Sequence, residues 1–223
     1  MAFDFDHTVI WESIPVLLTG VKLTILITVV GLVIGFALGA TAGLMKLSRN
    51  FLLSKIASSY IEFIRGTPLM VQVLFLYFGL PMALGSRITP LTAGIVAIAL
   101  NSGAYIAEIV RGAVQSINPG QTEAARSIGL SRSQAMRYVI WPQAMKRMIP
   151  PLGNQFIISL KDTSLLVVIG VGELTRTGQE IISVNFRAFE VWFTVALMYL
   201  VLTLSISRVL SLVESRIFHV GRK

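Results

Sequence analysis

The sequence predicts an all-α membrane protein with about five transmembrane helices, and three observations carry that prediction. Of its 223 residues, 54% are apolar and only 13% charged, about half the roughly 25% usual in soluble domains. Several apolar runs reach the length of about 20 residues that a helix needs to cross a bilayer. The basic residues, 19 against 11 acidic, gather on one side of those runs. With no cysteine present, these features exclude a disordered chain, a disulfide scaffold and an ordinary soluble globule. A net charge of +8 in so apolar a chain is first a question of membrane sidedness, and nucleic acid is not implied.

The spans follow in order. The first, 14–44, is interrupted only by Lys22 and a few threonines and is too long for a signal-peptide core. The residues before it are acidic (Asp4, Asp6, Glu12), so it reads as a retained helix. The second is 60–80, with a polar first third. The third, fourth and fifth are 92–110, 152–171 and 191–212, giving one transmembrane domain over 1–223 with a loop at 111–149. Five spans put the termini on opposite sides. With the N-terminus outside, the inner segments 45–65, 111–147 and the tail from Arg208 hold fourteen of the basic residues, Arg222 and Lys223 included. The outer segments 1–13, 81–91 and 172–190 hold three, Arg87, Arg176 and Arg187. That asymmetry predicts an outer N-terminus and a cytoplasmic C-terminus.

Gly31, Gly35, Gly39 and Gly43 recur every four residues in the first span. They lie on one helix face, where a missing side chain lets another helix approach closely.

Polar groups inside hydrocarbon are expensive and therefore informative. Asn101, Tyr105 and Glu108 share one face of the third span. Gln155, Ser159 and Asp162 repeat that spacing in the fourth, with Lys161 beside them and Thr163 and Ser164 following. Inserting Lys161 or Asp162 at mid-bilayer costs roughly 2.5–3.5 kcal/mol unless it faces protein or water. Two readings stand: these charges pair with other helices and lock the bundle, or they line a wet cavity that holds a polar or zwitterionic solute. In the second span, Glu62 and Arg65 are spaced to pair, and Gly66-Thr67-Pro68 breaks the helical ladder because Pro68 lacks an N–H and disfavours helix at Thr67. Arg65, Gly66, Thr67 and Pro68 are therefore candidates for a hinge or cavity wall, with a plain structural kink as the alternative.

The loop reads as two short helices with a glycine corner. Asn118 is an N-cap, Pro119 the first helical residue and Gln121 the third position of a capping box. Gly129 ends that helix. Ser131 and Gln134 repeat the capping box, and the second helix is expected to stop before Pro142. Ala124, Ala125 and Gly129 keep the first helix and its corner slim enough for a partner surface to approach.

At this loop a family resemblance emerges. Glu123-Ala124-Ala125, Gly129 and Pro142 resemble the EAA-x3-G-x9-I-x-L-P signature of ABC importer permeases, with Val139 and Trp141 in place of Ile and Leu. Residues 62–72 (EFIRGTPLMVQ), 101–117 (NSGAYIAEIVRGAVQSI) and 151–165 (PLGNQFIISLKDTSL) are similar to the polar amino-acid, histidine/glutamine-type branch, and within it to bacterial glutamine permeases. The resemblance implies a type I importer (MetI-like) permease fold in the bacterial cytoplasmic (inner) membrane. It implies two ATP-binding cassette subunits holding ATP-Mg, an extracytoplasmic amino-acid binding protein, and a second permease copy, as a homodimer or a heterodimer. In such a complex Glu123, Ala124, Ala125, Gly129 and Pro142 couple to the ATPase. Asn101 and Asp162 contact the solute, with Lys161, Glu108, Thr163 and Ser164 as further candidates.

The chain has no G-x-x-x-x-G-K-[ST] to cradle phosphates, and Gly170-x-Gly172 lacks the rest of a dinucleotide fingerprint. His7 and His219 stand alone and no serine has a plausible histidine partner, so neither a metal site nor a catalytic triad is expected, and no cofactor on this chain. The expectation is a transport subunit and not an enzyme. The competing class is an ion- or proton-coupled secondary transporter, although such folds usually carry inverted repeats, and none is evident here. A non-transporting membrane scaffold would leave the polar stripes without a purpose.

Overall fold

A computed structural model describes residues 5–219, with side chains through 216. Asp4, Arg222, Lys223 and the His219 side chain lie outside what is described. The described residues form helices and no strand. Asp6 starts α1 (His7–Lys46) by accepting the Thr8 N–H at 2.9 Å, satisfying one of the free N–H groups of a helix start. At 1.5 Å per residue α1 is about 60 Å long, twice the hydrocarbon thickness.

The second span is broken at Thr67 and Pro68, where the sequence predicts a break. It consists of α2 (Phe51–Gly66), then α3 (Leu69–Leu74), a π-type segment Phe75–Gly79, and α4 (Leu80–Leu84). The two arms meet at 104°. Thr67 and Pro68 between them are extended, at φ −119°, ψ 144° and φ −64°, ψ 137°, as a residue preceding proline prefers.

The third span is α5 (Pro90–Gln115), capped by Thr89 with Pro90 in its first turn. It makes the most extensive helix–helix contact of the structure, with α1, and the glycine comb is the reason. A Cβ on Gly31 would lie 2.7 Å from Ile98, on Gly39 2.5 Å from the Gly103 carbonyl, and on Gly43 2.8 Å from the Ala107 carbonyl. Ala97, Ala104 and Ala107 on α5 are fully buried, so small residues meet small residues and the backbones nearly touch.

The loop contains α6 (Pro119–Ser127) and α7 (Arg132–Ala135). Gly129 has φ +87°, and its N–H bonds the Arg126 carbonyl at 3.1 Å while Leu130 N–H bonds the Ala125 carbonyl at 3.2 Å. This is a complete Schellman end, which needs a left-handed residue at that position. The Ser131–Gln134 capping box is present. Gln121 differs from expectation: its side chain accepts from Gln143 at 3.1 Å instead of returning to Asn118, whose side chain caps Gly120.

The helix also does not stop at Pro142. A π-type turn over Met136–Ile140 follows α7, the Trp141 N–H bonds the Met136 carbonyl, and α8 (Trp141–Asp162) begins with Pro142 in its first turn. There a missing N–H costs little. The fourth span is thus the membrane part of one continuous rod, Arg132–Ile169, which runs through Pro150 and Pro151 and ends in a 3-10 turn, Thr163–Ile169.

One helix was not expected. α9 (Leu174–Asn185) lies in the segment read as an outer loop. It is short and amphipathic, so a search for long apolar runs passes over it. Gly20 of α1 receives it: a Cβ there would fall 2.8 Å from the Leu174 backbone, and the Leu174 N–H donates to Thr24 Oγ1 at 3.2 Å. Glu173 caps α9 and accepts Tyr199 O–H of α10 (Ala188–His219) at 3.0 Å. α10 is the last span, with Leu197, Leu200, Val201 and Leu204 exposed along it.

Candidate functional site

The break between α2 and α3 faces α5 and α8 across a cavity of about 560 Å³, within the range of small-molecule sites. Its wall is Arg65, Gly66, Thr67 and Pro68 from the break, with Leu69 behind them. Asn101 and Tyr105 of α5 and Gln155, Ile158 and Asp162 of α8 complete it. The i, i+4 and i, i+7 spacings seen in the sequence are what aim each set at one space. Asn101, Asp162 and the four break residues, singled out on separate grounds, thus share one cavity.

The other solute candidates lie elsewhere. Lys161 is exposed and is not among the residues that line the cavity. Thr163 is fully buried with its hydroxyl on the Leu160 carbonyl at 2.7 Å, and Ser164 follows on the 3-10 turn outside the lining. Glu108 is the hub of an ion-pair cluster: its carboxylate lies 2.8 Å from Lys46, 2.7 Å from Arg111 and 3.7 Å from Arg65. With three cations around it, this carboxylate joins the ends of α1, α2 and α5. Arg65 therefore turns to Glu108 and not to Glu62, and it also stacks its guanidinium 5.1 Å from the centre of the Tyr105 ring.

Sequence reasoning missed Gln72. Its side-chain amide donates to the Ile64 carbonyl at 2.7 Å, to Thr67 Oγ1 at 2.9 Å and to the Thr67 carbonyl at 3.1 Å. In an unbroken helix residue 68 would donate to the Ile64 carbonyl, and Pro68 cannot. Gln72 supplies the missing donor. The signal was present: a buried proline break leaves a carbonyl without a partner, and a glutamine four residues on can reach it.

In the loop, Glu123 and Ala124 are exposed while Ala125 is buried. Gly129, just past the end of α6, and Pro142, in the first turn of α8, are also exposed. The rod beneath is fixed to α5 by Arg147, which donates to the Ser116 carbonyl at 2.6 Å.

A polytopic helical bundle, with a polar cleft built at a broken span and a structured loop at one end, is the architecture of a solute permease. The particular family follows from comparison. The model of the binding-protein-dependent transport system inner membrane component matches residues 31–219, and the chain belongs to that family. It is 54% identical over 213 residues, 95% of this chain and 97% of the other, to the glutamine transport system permease protein GlnP of Escherichia coli (strain K12). It is 38% identical to the L-cystine transport system permease protein TcyL of Bacillus subtilis (strain 168), over 87% of this chain and 84% of that one. Among solved structures, a chain from the crystal structure of an amino acid ABC transporter with histidines superimposes with a TM-score of 0.92 at 45% identity, covering 96% of this chain and all 100% of that one. A chain of the MetNI methionine ABC transporter in an inward facing conformation gives 0.79 at 22% identity, covering 96% and 99%, a likeness of fold. The chain is therefore an inner-membrane permease subunit of an ABC import system, of MetI-like fold, and its family works with an ATPase and a solute-binding protein.

Proposed function

We propose that the chain moves polar amino acids, glutamine first among them, from an extracytoplasmic binding protein to the cytoplasm by alternating access around the cavity at the α2–α3 break. The observation that carries this reading is the cavity's charge layout: the Arg65 guanidinium on one wall, the Asp162 carboxylate and Asn101 amide on the others. A zwitterion needs that mixture, donors for its carboxylate and acceptors for its ammonium. The 54% identity to a glutamine transport system permease protein supports the choice of solute.

In this reading the N-terminus is outside and the C-terminus cytoplasmic, which places the α6–α7 loop beside the ATPase. Two ATPase subunits, carrying ATP-Mg, dock on two permease copies arranged as a homodimer. Glu123 and Ala124 on the exposed face of α6 contact the ATPase, and Gly129 sets the angle at which α6 leaves. ATP binding closes the ATPase pair, moves the loops together and opens the cavity outward; hydrolysis returns it inward. The energy comes from ATP binding the two states unequally. The test is to purify the chain with its ATPase and binding protein and screen amino acids for stimulated ATP hydrolysis. Glutamine stimulating most strongly supports the reading, and stimulation by no amino acid overturns it.

A further inference from the structure

We infer that Gln72 sets the polarity of the solute cavity: it is a positioning residue that holds Asn101 with its carbonyl oxygen, Oδ1, toward the cavity, so that the site accepts hydrogen bonds from the solute's ammonium. The inference rests on the reading of this cavity as the solute site.

The chain of constraint begins at the backbone. Pro68 leaves the Ile64 carbonyl without its helical donor, and the turn to 104° frees the Thr67 carbonyl as well. The Gln72 Nε2 group serves both carbonyls and the Thr67 hydroxyl. Gln72 is buried, and turning its amide over would set Oε1 against two carbonyl oxygens. Its orientation is therefore fixed by three acceptors at once.

With Nε2 committed, Oε1 faces α5, where Asn101 Nδ2 lies 3.4 Å away. That is long for an N–H···O bond, so its role is one of sign more than of strength. The reverse arrangement of Asn101 would bring two amide oxygens together. Asn101 Oδ1 is then turned from Gln72, and no residue among those described donates to it. No side-chain polar atom among the described residues is both sealed and unpartnered, so Oδ1 meets open space, and the space Asn101 lines is the cavity. The Asp162 carboxylate also lines that cavity. An amide oxygen and a carboxylate together present acceptors only, which suits a primary ammonium. A proline break thus fixes, through one glutamine, which end of an amide the solute meets.

The experiment uses the permease–ATPase complex in lipid nanodiscs without binding protein, and measures radiolabelled glutamine displaced by unlabelled glutamine or by glutaramate, which is glutamine without its α-amino group. The native complex prefers glutamine. Gln72→Met removes both amide functions at similar volume and frees Asn101 to turn over, so the preference falls about tenfold. Equal preference in the native complex and in Gln72→Met overturns the inference, because a patch on the backbone break would weaken binding of both compounds alike. Should Gln72→Met fail to assemble, Asn101→Leu decides: removing an acceptor weakens glutamine more than glutaramate, whereas equal weakening of both means that Oδ1 had not faced the ammonium and overturns the inference. If Asp162→Asn and Asn101→Leu leave glutamine binding unchanged, the cavity is not the solute site, and the reading beneath the inference fails with it. If those two variants abolish binding while Gln72→Met keeps its preference, only the role of Gln72 is refuted.

Discussion

Replacing Gly39 by alanine tests how tightly α1 is seated on α5. A Cβ at that position would stand 2.5 Å from the Gly103 carbonyl and 2.7 Å from Ile106 Cβ. Neither neighbour can move alone, since one is backbone and the other a buried β-branched side chain in mid-helix. Ordinary contact therefore requires the two helices to part by about 0.5–1 Å, which forfeits a quarter to a half of each dispersion contact along the seam. Overpacking of this kind costs about 1–3 kcal/mol, and the gain in helix propensity from Gly to Ala returns about 1 kcal/mol. The net loss is about 0–2 kcal/mol, or up to roughly 8 °C in Tm for a chain of this size. Gly112→Ala is the matched control. It lies in α5 with nothing within 4 Å of the new Cβ, so it keeps the propensity gain and raises Tm by about 2–4 °C. Thermal unfolding of the purified protein, followed by a fluorescence or size-exclusion assay, reads both. A Gly39→Ala protein as stable as Gly112→Ala would refute the claim that the glycine comb exists for this contact.

Three further outcomes are expected. Gly129→Asp places a side chain at φ +87°, where L-residues cost about 1–2 kcal/mol, and adds a negative charge at the C-terminal end of α6, where the helix dipole disfavours it; uptake into cells is lost while membrane insertion persists, and normal uptake would sink the coupling role of the loop. Asp162→Asn lowers solute-stimulated ATP hydrolysis in the reconstituted complex more than the basal rate, whereas an equal fall in both would favour a role in locking the bundle. Glu173, fully buried ahead of α9, has its carboxyl pushed above the usual 4.5 by burial, the strongest influence on it, against the donors Thr175, Arg176 and Tyr199. A carboxyl raised in the fold binds its proton more tightly there than in the unfolded chain, so stability falls as pH rises from 4.5 through the raised value. Glu173→Gln keeps an acceptor for the α9 N–H groups and removes that slope, and a Tm series from about pH 4 to 8 with the slope unchanged would refute it.

Much of this was legible in the sequence because it is local. Apolar runs gave the spans, glycine spacing gave the face of α1 that α5 covers, and Asn118, Gly129 and the Ser131–Gln134 pair marked helix ends within a few residues. The convergence of Asn101 and Asp162 could also be anticipated, since charges and amides at mid-span must face protein or water. What escaped depends on register between distant elements. Lys46 and Glu108 meet across 62 positions, and spacing within one helix says nothing of that. Pro68 announced a break but not its 104° angle, which Gln72 stabilises from the far side. Pro142 misled because a π-type turn ahead of it lets the helix continue, and α9 escaped because an amphipathic helix of 12 residues leaves no apolar run.

The most direct test of the central claim is glutamine uptake into liposomes holding the chain, with its ATPase and binding protein supplied or withheld. An ATP-driven permease subunit with its solute site at the α2–α3 break predicts accumulation only when ATP and both partners are present, and its loss in Asp162→Asn. Accumulation by the chain alone, driven by an ion or proton gradient, would contradict it and establish a secondary transporter in its place.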